Sequence, residues 1–206
     1  MKGLLLKDWY LIKSYCLSFF VIAMVMILAT AFVSDVAVFE SYPVLFAGMI
    51  PMTLQSYDEK EKWHVYSGTL PVSRAQFVSA KYLIGLLDVA VVIAATVLVR
   101  AVSGLALPGR GTAVSPTLFA AAGLGLFAPA VALPLVFRFG AEKARIIYLI
   151  LVAVVAGASY ILLDNDGAPS LVEATPAAPA VLCLAALALY AVSWAISVAI
   201  YKRREL

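Results

Sequence analysis

Charge is what this chain has least of. Only 13% of its 206 residues are Asp, Glu, Lys or Arg, about half the ~25% usual in soluble domains. A water-soluble globule is therefore excluded. Histidine occurs once (His64) and cysteine twice (Cys16 and Cys183), both cysteines inside apolar runs. Without a spaced Cys/His set the sequence offers no zinc or haem site, and no metal ligand is nominated. There is no HExxH, no GxSxG and no pair of carboxylates on one apolar run, so no catalytic residue is nominated either. The GRGT stretch at 109–112 and the GAEK stretch at 140–143 lack the GxxxxGK[ST] spacing of a phosphate-binding loop. The net charge of +3 is too small and too scattered to point to nucleic acid.

What is there is apolar: 64% of the residues are hydrophobic. The pattern predicts an all-α polytopic membrane protein with six transmembrane helices, forming a single permease-sized domain over residues 1–206. Residues 1–13 mix Lys2, Lys7 and Lys13 with Leu4, Leu5, Leu6, Trp9, Tyr10 and Ile12. They suit either a short interfacial helix at headgroup level or a plain extension of the first span. The spans are expected near Ser14–Val33, Tyr42–Ser56, Phe77–Val102, Pro116–Phe137, Ile146–Leu163 and Pro176–Tyr201. Pro43 and Pro51 suggest a bent or short second span, and Pro129 and Pro134 a kinked or broken fourth. Ser115–Pro116 and Thr175–Pro176 read as helix starts, a cap followed by proline at the first position. Ala153 and Gly157 in span five allow close helix packing.

Placing both termini in the cytoplasm puts 13 of the 15 basic residues on the inside, leaving Arg100 and Arg110 outside. The acidic residues Asp35, Glu40, Asp164, Asp166 and Glu173 then all fall outside. Positive charge kept inside sets the orientation. It also places Cys16 and Cys183 at opposite ends of the bilayer, too far apart for a disulfide.

One polar island interrupts the apolar chain, Tyr57 to Tyr82. Asp58, Glu59, Lys60, Glu61 and Lys62 are followed by Trp63, Tyr66 and Leu70 at i, i+3 and i+7, which gives a helix one greasy face and one charged face. A solvated connecting loop explains the charges. It leaves the aromatics without a use, and such a surface commonly docks on a partner. Asp88 is the one carboxylate within an apolar run, an intramembrane functional candidate by default, although its place seven residues beyond Lys81 favours a structural or interfacial role, paired with a base. Arg100 and Arg138 suit snorkelling at span ends.

With this topology the island closely resembles a signature of the type-2 ATP-binding-cassette (ABC) transporter permeases, in particular the small six-span half-transporter branch that includes bacterial peptide exporters. The matching residues are the YDEK start (Tyr57 to Lys60), Trp63, the LPVSR element (Leu70 to Arg74) and Lys81-Tyr82. The opening KGLLLKDWYLIK is similar too. The resemblance implies that residues 57–76 form a cytoplasmic coupling segment seated in a groove of a separate ABC ATPase. Glu59, Trp63, Tyr66 and Leu70 would make the contact, with Asp58, Lys60, Glu61 and Lys62 at its rim. Arg74, Lys81, Tyr82 and Trp9 would anchor the chain at the membrane surface. It also implies that ATP and Mg bind the partner ATPase and not this chain, and that a second permease subunit completes the pathway in a bacterial cytoplasmic membrane. The cargo expected is a peptide or another amphipathic molecule. A membrane scaffold or sensor subunit that binds a cytoplasmic protein without transport is the alternative.

Overall fold

In the computed structural model, residues 2–30, 36–63, 66, 73–106, 116–147, 149–150 and 178–203 are described. Most of span five, with Ala153 and Gly157, lies outside them, as do His64, Leu70, the Ser115 and Thr175 caps and the acidic segment 164–173. Among the described residues the structure is helical, with no strand. The helices are α1 (Lys2–Leu11), α2 (Leu17–Ala29), α3 (Val36–Lys60), α4 (Arg74–Ala106), α5 (Pro116–Phe139) and α6 (Ala178–Arg203). Among the described residues, four stretches are long and apolar enough to cross a bilayer: Gly3–Ala29, Arg74–Leu105, Ala121–Phe139 and Ala180–Arg203.

The N-terminal segment and the first span form one helical run. They are joined through a π-helical segment, Ile12–Cys16, in which Cys16 departs from helical geometry at φ −102° and ψ 3°. A π turn adds a residue to the winding and re-aims the side chains on either side of it. Leu4 and Ile12 are thereby buried, while Trp9 and Tyr10 stay 62% and 64% exposed.

Contacts between helix ends show how the bundle runs. The last turn of α3 meets Lys7 and Asp8 on α1 and Lys81 on α4. It also meets Ala141, just past the end of α5, and Arg74 at the start of α4 donates to the Lys202 carbonyl at the end of α6 (2.9 Å). A second cluster lies further along the same helices, where Ile27, Val44, Val89, Val92, Ala121, Leu126 and Ala186 pack together. From the N-terminal run to α5 the helices therefore alternate in direction, while α5 and α6 both end at the charged end. Apart from Arg100, toward the other end of α4, their basic residues, including Lys60, Lys62, Arg138, Lys143 and Lys202, gather at one end.

The prolines do not break their helices. Pro43 and Pro51 lie inside continuous α3, and Pro129 and Pro134 inside continuous α5. The glycines beside them serve packing. A Cβ on Gly48 would lie 2.3 Å from the Gly125 carbonyl oxygen, and one on Gly125 would lie 2.4 Å from Val44 Cγ1. Backbones of α3 and α5 can approach this closely only where both side chains are missing. Gly85 on α4 likewise makes room for the Pro51 ring, which a Cβ would meet at 2.8 Å.

A reciprocal capping box starts α4 one turn before the expected Phe77. Ser73 Oγ accepts from the Gln76 N–H (3.2 Å), and Gln76 Oε1 accepts from the Ser73 N–H (3.0 Å). The 33 residues of α4, at 1.5 Å each, come to about 50 Å, well beyond the ~30 Å hydrocarbon core. Its first turns thus extend out of the bilayer and form part of the charged end.

Candidate functional site

The charged end is assembled from the polar island, residue by residue. Tyr57 stacks on Tyr15 of the π-helical segment, ring centroids 4.4 Å apart. Asp58, expected at a rim, is buried, and so are Asp8 and Lys81. Lys81 Nζ lies 2.8 Å from Asp8 Oδ1 and 2.6 Å from Asp58 Oδ2. Lys7 Nζ contacts the Oδ1 atoms of both Asp8 (3.1 Å) and Asp58 (2.5 Å). Two cations and two carboxylates thus form a neutral four-membered ring of charge joining α1, α3 and α4. A lone buried charge is costly, and four that neutralise one another at hydrogen-bond distance offset much of that cost.

Glu59 points another way. Its Oε2 accepts from the Ala141 N–H (2.7 Å) at the start of the helical residues 141–147. Gly140, at φ +87°, turns the chain between the end of α5 and that start. The carboxylate satisfies an N–H that the helix itself leaves unpaired. Lys60 sits over the Tyr57 ring. Lys62, at φ +52°, ends α3 in the left-handed conformation that closes many helices. Each residue of the YDEK element therefore addresses a different neighbour.

Beyond the end of α3, Trp63 packs partly buried against the cluster of Leu4, Phe77, Phe137 and Tyr201. Lys7 Nζ lies 4.4 Å above its indole ring. Tyr66 lies against Trp63, centroids 5.0 Å apart, and is 56% exposed. Glu61 and Lys62 are exposed as well. A groove of about 520 Å³ runs along Lys7, Leu11, Tyr57, Glu61, Trp63 and Tyr66. A second cleft, of about 380 Å³, lies between the end of α3 and residues 139–145, with Lys60, Glu142, Lys143 and Arg145 in its walls.

The structure thus divides the nominated docking residues. Glu61, Lys62 and Tyr66 face outward and Lys60 borders the second cleft, whereas Asp58, Glu59 and Trp63 hold the neighbouring helices together. Leu70 lies outside the described residues. The nominated surface anchors divide too. Trp9 is on the surface, while Lys81 is 1% exposed inside the charge ring and Tyr82 is buried.

The Tyr82 hydroxyl lies 2.7 Å from both Ser193 Oγ and Ser197 Oγ. Ser193 donates its only proton to the Ala130 carbonyl, so Tyr82 donates to Ser193 and receives from Ser197. Tyr190 donates to the Tyr82 carbonyl (2.6 Å). This polar knot ties α4, α5 and α6 together. Asp88 is buried, and its Oδ2 has no hydrogen-bond partner among the described residues.

Sequence reasoning missed Asp8, the partner of Lys81. The capping box at Ser73 and Gln76 was readable from its spacing. Arg74 is held by the carbonyl end of α6 and not by lipid headgroups alone. Both cysteines are free thiols. Among the described residues no cluster of three His, Cys, Asp or Glu side chains is placed to hold a metal ion.

A family model described as "ABC-2 family transporter protein" matches residues 3–202, nearly the whole chain. No curated protein matches the sequence.

Proposed function

The chain belongs to the ABC-2 family of transporter proteins, and on that premise we propose that it is the permease of an exporter whose energy comes from a separate ABC ATPase docked at the charged end. Membership makes it a multi-pass membrane component of an ABC transporter. The observation that carries the finer reading is the arrangement after α3. Glu61, Lys62 and Tyr66 stand exposed on a backbone that is tied at Asp58 to α1 and α4 and at Glu59 to the start of 141–147. A push delivered to those exposed residues would reach three helices through short, buried contacts.

In this reading ATP and Mg are bound by the partner, and the basic end faces the cytoplasm of a bacterial cell, as its excess of Lys and Arg favours. A second copy or a similar chain completes the pathway, and the cargo is a peptide or another amphipathic molecule. Tyr66→Asp and the charge reversal Glu61→Lys with Lys62→Glu test the docking, because neither alters a buried side chain. Both are expected to cut co-purification of the cognate ATPase at least about tenfold, the scale of losing one well-packed aromatic contact. Retained ATPase in both variants would overturn the docking assignment. ATPase activity that is unchanged by adding the permease in liposomes would favour a scaffold or sensor instead.

A further inference from the structure

A groove of about 530 Å³ lies between the N-terminal helical run and α4, away from the charged end's clefts. Leu5, Trp9 and Ile12, at i, i+4 and i+7, make one wall. Ile84, Leu87, Asp88 and Val91, at i, i+3, i+4 and i+7, make the other. Both walls are single helical stripes, and all but one of these residues are apolar or aromatic. The exception, Asp88, is 7% exposed, and its buried Oδ2 has no hydrogen-bond partner among the described residues. The nearest base along α4 is Lys81, seven residues away, or about 10 Å along the axis. Lys81 is already engaged by Asp8 and Asp58. The rim is open: Trp9 is 62% exposed, Leu87 51% and Val91 57%.

We propose that this groove binds an amphipathic cation, a molecule with an apolar tail and one ammonium or guanidinium group that pairs with Asp88. The tail fits walls that are already apolar. The cation supplies the partner that the carboxylate lacks away from water. Trp9 at the rim offers a ring face to the same positive group on its way in. A neutral or anionic amphiphile would gain from the walls and nothing from Asp88. The inference deepens the transport reading and rests on it for the role of cargo, while the binding itself does not require the ATPase.

The test uses the full chain in phosphatidylcholine nanodiscs and a terminally brominated dodecylamine, with the brominated alcohol of equal length as its neutral counterpart. Bromine quenches nearby tryptophan, so binding is read as a saturable quenching component that is absent from empty nanodiscs and from Trp9→Phe. The amine is expected to saturate well below the alcohol. Asp88→Asn should weaken the amine by about tenfold or more and leave the alcohol unchanged, as removal of a buried charge partner does. Equal binding of amine and alcohol, or an Asp88→Asn variant as tight as the parent, would overturn the proposal. Should Asp88→Asn not fold, Leu87→Phe fills the groove from its exposed wall, and undiminished saturable quenching there overturns the proposal equally. ATPase co-purification is scored in parallel. Saturable amine binding without ATPase association sinks the transport reading and leaves the site standing, whereas ATPase association without amine binding does the reverse.

Discussion

Lys81 is among the largest fully buried side chains of the described residues, and its ammonium group touches two carboxylates from two other helices. Removing one member of such a set leaves an uncompensated charge inside, which costs about 3–5 kcal/mol. Lys81→Met is therefore expected to lower unfolding stability in detergent by about that amount. Adding Asp8→Asn to it leaves Lys7 paired with Asp58, so the double variant should be more stable than Lys81→Met alone. A thermal-unfolding cycle over the parent, both single variants and the double one checks this, and strictly additive losses would contradict the ring. Ser73 carries a smaller term. Ser73→Ala removes one of the two capping-box bonds and should cost about 1 kcal/mol, measured the same way.

At the level of the element, α3 is the helix around which the others are arranged. Gly48 brings it against α5, Pro51 sits in the space left by Gly85 on α4, and its last turn reaches α1 and residue 141. Gly48→Val would drive side-chain atoms into the Gly125 carbonyl, since even a Cβ comes within 2.3 Å. Overpacking of this kind costs about 1–3 kcal/mol where the neighbours can shift, and a backbone oxygen has little room to do so. The expected outcome is loss of the monodisperse peak in size-exclusion chromatography, with Gly48→Ala giving a milder form of the defect. Tyr82→Phe is the contrasting case. It removes a hydroxyl that bridges Ser193 and Ser197 but leaves the shape of the core intact. Interhelical hydrogen bonds in membranes are worth about 0.6 kcal/mol on average, so the melting temperature should fall only slightly.

For the whole molecule, the course of α4 away from the charged end carries a prediction about sidedness. Glu61, at the charged end, and Leu105, 85% exposed near the other end of α4, should lie on opposite sides of the membrane. In a Cys16→Ala, Cys183→Ala background, Glu61→Cys is expected to react with a membrane-impermeant maleimide only after the cytoplasmic side is opened. Leu105→Cys should react in intact cells. The reverse pattern would invert the orientation and move the proposed docking face to the wrong compartment.

The apolar runs, the scarcity of charge and the gathering of basic residues were legible because each is a property of local composition. Solvation by lipid acts on a segment wherever it lies in the fold, and a helix satisfies its own backbone within that segment. The island's exposed residues Glu61, Lys62 and Tyr66 were legible for the same reason. The roles of Asp8, Asp58, Glu59 and Lys81 were not. A charged side chain looks alike in the sequence whether it meets water or an opposite charge on another helix, and only the crossing of α1, α3 and α4 distinguishes the two. The prolines read as a bent or short α3 and a kinked or broken α5 because propensity describes an isolated helix. In the bundle Gly48 lies against Gly125 and Pro51 fits over Gly85, so these residues become points of contact. The sequence by itself determined that this is a helical membrane protein with one basic end. The packing decided which charges stay exposed and which hold the helices together, because that depends on distances between residues far apart in the chain.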